Sequence, residues 1–244
     1  LIYLQDRFDS LGWTYAPGAF VVSIHANQKS IESKFQVKLS SEKPGEPIRF
    51  TIDGSDPTNH SDQYIQPFSI AETTTLKTAL FIDGKMAGKV SEKIFNFHKA
   101  LGKLVKYNIP CKQKYAGNGA ITLVDGLTGT TSHNDGYWQG WEGEDLDVVI
   151  DLGKPESIGE ISLSFLEAHG SWIFLPAEIK VSFSDEGNSF QHEKKISLIG
   201  GENFGKNNRK VVNMNSLNSS GRFVRVQAIN RKTCPDWHDG AGGK

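Results

Sequence analysis

Residues 146–190 read LDVVIDLGKPESIGEISLSFLEAHGSWIFLPAEIKVSFSDEGNSF, a run of alternating apolar and polar residues broken by turn sequence. Ile161, Leu163 and Phe165 alternate with polar residues, and so do Ile179, Val181 and Phe183. That period of two belongs to half-buried β-strands. The SDEGNS segment after the last run supplies the Asp, Gly and Asn that a tight turn needs. Working outward, the same alternation recurs in FVVSIH (20–25), KFQVKL (34–39), PIRFTID (47–53), TLKTALFID (75–83), KIFNF (93–97) and RFVRVQAI (222–229). Turn clusters separate them, among them SEKPGEP (41–47), DGSDPTNHSD (53–62), IDGKMAG (82–88) and GGENFGKNN (200–208). Spacings of about ten residues, with no long amphipathic helix after residue 17, predict antiparallel β-sandwiches.

The chain has 244 residues, a length that suits two modest domains. Charge is nearly balanced, 27 basic against 28 acidic residues, so no excess field draws in nucleic acid or an anionic membrane. No apolar run reaches the roughly 20 residues that span a bilayer. Residues 1–17 carry Leu1, Ile2, Leu4, Phe8 and Leu11 at helical spacing and are expected to be the remnant of an upstream domain and a linker. Residues 18–97 hold enough strands for a small immunoglobulin-like sandwich. Residues 98–244, beginning at HKALGK, hold a second set with a different texture. Four of the five Trp fall there, all in loop-like sequence: Trp138, Trp141, Trp172 and Trp237. The two cysteines, Cys111 and Cys234, fit neither a CxxC redox pair nor a zinc cluster, and from spacing they are either one bridge or two buried thiols.

In PIRFTIDGSDPTNHSDQYIQPFSIAETTTLK (47–77), Asp53, Ser55 and Asp56 are placed to fold back on backbone N–H groups and make a tight turn before Pro57. With its following Y…P…I…TTTLK, this stretch resembles the small Fn3-like sandwich near the C-terminus of chitobiases and β-hexosaminidases, a spacer without chemistry of its own. Residues 120–153, AITLVDGLTGTTSHNDGYWQGWEGEDLDVVIDLG, resemble the opening of a discoidin-type, or F5/8 type C, domain. Asp125–Gly126, Thr130 or Thr131, Trp138 or Trp141, and Ile150 to Gly153 occupy the places of its pattern. FLPAEIKVSFSDEGNSF matches a later hairpin through Pro176, Ile179, Val181, Ser184, Gly187 and Phe190. The implied architecture is all-β: an immunoglobulin/Fn3-like sandwich followed by a galactose-binding-like (discoidin, jelly-roll) sandwich. The resemblance also implies that the chain, ending AGGK, stops before that sandwich's last strand.

Many discoidin-type domains bind sugars. A sugar ring needs an exposed aromatic face for its C–H surface and fixed polar groups for its hydroxyls. Three loops offer both. HNDGYWQGWEGED supplies His133, Asn134, Asp135, Trp138, Trp141 and Glu142; EAHGSW supplies Glu167, His169 and Trp172; and CPDWHDG supplies Asp236, Trp237 and His238. For each Trp the plain alternative is packing within the sandwich, and for each His a hydrogen bond to nearby backbone. The resemblance further implies a structural calcium held by Asp125 and Thr130, although the late Glu of the family pattern is missing and a turn at Asp125 explains that residue equally well.

No GxSxG, HExxH, P-loop or βαβ alternation is present, and the Asp185–Glu186 pair sits in a turn sequence. No cofactor is required by this reading. The chain is therefore expected to be the noncatalytic tail of an exported β-N-acetylhexosaminidase of the chitobiase type (glycoside hydrolase family 20). Its partners would be the upstream catalytic domain in cis and a glycan ending in galactose or N-acetylhexosamine. The competing readings are purely structural bracing of the catalytic domain or its dimer, and a protein-adhesion role.

Overall fold

The computed structural model describes residues 20–29, 34–198 and 205–243. Residues 1–17, expected to be an upstream remnant, lie outside them, as does most of the GGENFGKNN segment. The chain divides between Phe97 and His98 into two compact units.

The first unit carries β1 (Ser23–Lys29), β2 (Lys34–Ser40), β3 (Ile48–Thr51), β4 (Asp62–Gln63), β5 (Phe68–Ile70), β6 (Thr74–Ile82) and β7 (Lys85–Phe95). One sheet runs β1-β2-β5 and the other β4-β3-β6-β7. Along β2, Phe35, Val37 and Leu39 are buried while Lys34 and Lys38 face water, as the alternation demands. The sheets face each other through aromatic pairs. Phe35 lies 5.0 Å from Phe95, and Phe50 stacks 4.8 Å from Phe68. Phe35 and Phe95 are fully buried, and burying such a ring is worth about 1.5–3 kcal/mol.

Turn chemistry then sets the connections. Asp53 Oδ1 accepts the Ser55 N–H at 2.9 Å and the Ser55 hydroxyl at 2.6 Å, which closes the DGSDPT turn. Asp56, expected to join that turn, instead pairs with Lys77 at 2.7 Å. The turn in IDGKMAG is shorter than its sequence suggests. Asp83 and Gly84, at φ 49° and 75°, suffice for a two-residue hairpin, so Lys85 to Gly88 already belong to β7.

The second unit carries β8 (Leu104–Ile109), β9 (Leu146–Ile158), β10 (Ile161–Glu167), β11 (Glu178–Ser184), β12 (Gln191–Ser197), β13 (Asn208–Met214) and β14 (Ser219–Ile229). Five strands form a sheet in the order β12-β11-β14-β9-β8, and β10 pairs with β13 in a second. The sheets share one core: Val148, Ile179, Val181, Phe183, Val224 and Val226 from the larger, and Val212 and Met214 from the smaller. The fold is thus all-β, two sandwiches in sequence. In the second unit β8, β12 and β13 show the alternation weakly or not at all. β12, QHEKKIS, lies at a sheet edge with nearly every side chain exposed, and charged residues there discourage pairing with another chain. β8 lies at the opposite edge and buries alternate residues only partly. In β13 only Val212 and Met214 are buried, too few for a clear pattern.

On the outward face of the larger sheet, Asp147 is only 7% exposed. Its carboxylate accepts Arg225 Nε and Nη2 at 2.9 and 2.6 Å, Asn108 Nδ2 at 3.0 Å and Gln227 Nε2 at 3.3 Å. Burial alone would raise this carboxyl, but the hydrogen bonds from Arg225 and Asn108 outweigh it and hold Asp147 below the ordinary aspartate value of 3.8. Because the folded value is the lower one, the stabilisation is present above about pH 4 and fades as pH falls through the depressed value. Asp147→Asn is expected to destabilise the second unit by about 2 kcal/mol at neutral pH and to flatten the acid limb of urea unfolding. Wild-type urea midpoints for the variant across that pH range would show that the network carries no stability.

Candidate functional site

The loop after β10 is short and closed on itself. Ala168 and Ile173 exchange backbone hydrogen bonds at 2.9 and 3.1 Å, and between them His169–Ser171 forms a 3-10 turn. The turn ends at Trp172, whose φ of 58° is a left-handed conformation uncommon outside glycine. The Trp172 N–H donates to the His169 carbonyl at 2.9 Å. Held this way, the indole is 52% exposed.

The second loop, 234–243, is a run of turns whose hub is the His238 side chain. The Gly240 N–H donates to His238 Nδ1 at 3.1 Å, so Nδ1 carries the lone pair and Nε2 the proton, and Nε2 donates to the His169 carbonyl at 3.2 Å. Cys234 Sγ lies 3.1 Å from the same Nδ1, and burial pushes the Cys234 thiol up, which keeps its proton available to donate. Both cysteines are free thiols. The Trp172 ring packs edge-on to His238 at 5.5 Å and lies so close over Gly240 that a Cβ there would sit 2.6 Å from the indole. Trp237, 37% exposed, packs 4.6 Å from the His169 ring and 6.1 Å from His238.

The structure therefore brings together Trp172, Trp237, His169 and His238, and adds Phe174, which lies 5.9 Å from His169 and 5.2 Å from His238. The two histidines do not present themselves to a ligand. His169 is 2% exposed, with Nε2 2.9 Å from the equally buried Glu167, and both ring nitrogens of His238 have partners within the protein. What faces outward is indole surface.

The third loop makes contacts of its own. The Trp138 Nε1 donates to the Thr130 carbonyl at 3.0 Å, and the indole lies close against Gly129. Trp141 Nε1 donates to the Ile109 carbonyl at 3.0 Å, and its ring stacks 6.3 Å from Tyr107. Both indoles are half-buried and bonded inward. Glu142 is exposed and pairs with Lys114 at 3.1 Å; Lys114 also lies 4.7 Å over the Tyr115 ring. Salt bridges and hydrogen bonds from Lys232 and Asn230 to Asp145 tie this loop to the chain just before Cys234.

Asp125, buried, accepts the Leu127 N–H at 2.9 Å, the turn contact expected of an Asp–Gly pair. The Thr130 hydroxyl accepts the Ser132 N–H and its carbonyl is bonded to Trp138. Calcium takes six to eight oxygens. Among the described residues no three His, Cys, Asp or Glu side chains converge, so a calcium here would be held by the Asp125 carboxylate together with Thr130 and loop carbonyl oxygens.

With this geometry, comparison with protein families finds two matches in series. Residues 108–242, more than half of the chain, match the F5/8 type C domain, and the chain belongs to that family. Ahead of it, residues 27–92 match the chitobiase/beta-hexosaminidase C-terminal domain. No curated protein sequence matches the chain. Among solved structures, a fucose-binding module of Streptococcus pneumoniae is similar at 15% identity, covering 66% of this chain and 91% of that one with a TM-score of 0.39. The CpGH89CBM32-6 protein of Clostridium perfringens is 24% identical, over 55% and 90% of the two chains, TM-score 0.33. The C-terminal domain of a chitobiase from Bacteroides fragilis is 13% identical, over 57% and 87%, TM-score 0.33.

The contact between Gly129 and Trp138 is open to a direct test. A Cβ at residue 129 would lie 2.4 Å from the indole, so Gly129→Ala must push Trp138 off the Thr130 carbonyl. Overpacking of this kind costs roughly 1–3 kcal/mol. The variant is expected to unfold at correspondingly lower urea and to show a red-shifted tryptophan emission; unchanged emission and midpoint would mean that the ring is not seated on this glycine.

Proposed function

We propose that the second unit is a carbohydrate-binding module whose contact surface is the pair Trp172 and Trp237, and that the first unit is a spacer. The observation that carries this reading is that two indoles, 52% and 37% exposed, sit on neighbouring loops that are cross-bonded through His238. Preorganised aromatic surface is what a sugar's C–H face stacks on, and fixing it beforehand removes the ordering cost of binding. Membership of the F5/8 type C family supports the reading, and the nearby Asp236 and Asp239 supply exposed carboxylates for hydroxyl groups. The ligand is a terminal hexose, galactose or an N-acetylhexosamine. The match of residues 27–92 supports a parent enzyme of the β-N-acetylhexosaminidase type, exported to meet glycans outside the cell, which this module holds on its substrate. Single-site affinity is expected to be near millimolar, about 4 kcal/mol. Tethering makes such a weak contact effective by raising the local enzyme concentration. Among the described residues no helix is long and apolar enough to cross a membrane.

Titrating the protein with galactose, N-acetylgalactosamine and N-acetylglucosamine, followed by tryptophan fluorescence, tests this reading. Trp172→Ala and Trp237→Ala are each expected to weaken binding by about tenfold, or 1.4 kcal/mol, while Trp141→Phe leaves it unchanged. No response to any of the three sugars at tens of millimolar would overturn it.

A further inference from the structure

The buried pair under the aromatic surface has a role that contact with ligand does not explain. Glu167 closes β10, and His169 opens the following turn; each is 2% exposed and Nε2 lies 2.9 Å from Oε1. A buried ionisable pair adds little net stability compared with apolar residues of the same volume, and its best-attested use is to select one arrangement among several. Here the arrangement selected is visible. The His169 ring is stacked on Phe174 at 20° between planes and tilted against Trp237 at 59°. Its carbonyl accepts both the Trp172 N–H and His238 Nε2. One residue therefore governs both exposed indoles: Trp237 through its ring and Trp172 through its carbonyl.

We infer that Glu167 is a positioning residue for this surface: by holding the His169 imidazole, it sets the orientation of Trp237 and Trp172 without touching the ligand. The consequence for affinity rests on the carbohydrate-binding reading above; the consequence for the indoles does not. An apolar pair of equal size would fill the same space without the polar contact at Nε2 that favours one orientation of the ring over others.

The test uses the full chain labelled with 5-fluorotryptophan, each fluorine resonance being assigned by a Trp→Phe variant. Glu167→Gln removes the charge at constant size, and the double variant Glu167→Met/His169→Phe replaces the pair by apolar side chains and guards against loss of folding. Both are expected to shift the Trp172 and Trp237 resonances while those of Trp138 and Trp141 stay in place, and to raise the dissociation constant for whichever of the three sugars the wild type binds by about tenfold. A merely structural pair would move the Trp138 and Trp141 resonances together with those of Trp172 and Trp237, or none of them. Either variant folding with the Trp172 and Trp237 resonances and the affinity at wild-type values would overturn the inference. If the wild type binds none of the sugars, the carbohydrate reading falls, and the resonances alone still decide the positioning role.

Discussion

Alternation along a β-strand is the constraint on which the rest of this structure depends. Every second side chain goes to the core, so a sandwich of short strands has little room on them for chemistry, and its distinctive residues collect in the loops. In the second unit, Ile179, Val181 and Phe183 on β11 and Val224 and Val226 on β14 are given over to packing. Trp138, Trp141, Trp172 and Trp237 all lie outside strands. A packed core with loops bonded back onto it holds these large rings in place.

Two buried polar clusters show how different the use of burial can be. Asp147 sits at the start of β9, one strand in from the edge of the large sheet, where four donors on three side chains converge on it, and it replaces apolar packing across neighbouring strands with a satisfied network. Glu167 and His169 sit at the end of the sandwich, where strand order gives way to loops. There the backbone is no longer constrained by a ladder, and side-chain geometry takes over the task of fixing the chain. The left-handed backbone of Trp172, the shared carbonyl of His169 and the fixed tautomer of His238 are parts of that one arrangement.

Much of the fold was legible because period-2 patterns and turn residues are local signals. The Asp53 turn, the Asp185–Glu186 hairpin tip and the alternating runs of β2, β10 and β11 all stand where their residues predict them. The strands β8, β12 and β13 were not, since edge positions and a two-stranded sheet bury too few side chains to leave a pattern. Phe174 gives no signal of its place beside His169 and His238, because it reads as part of the strand-like IFLP run.

The class of fold, the order of two sandwiches and the three loops in which aromatic residues gather can be read along the chain, because each of these follows from spacing. The sequence alone could not sort the four tryptophans. Trp138 and Trp141 are three residues apart in one Gly-rich loop, and nothing local says that one lies on Gly129 and the other against Tyr107, both bonded inward to carbonyls. Nor does EAHGSW say that its histidine is buried and its tryptophan exposed. Exposure is set by what arrives from elsewhere in the chain, here His238 and Trp237 from a loop almost seventy residues on, and only the tertiary structure brings those groups together.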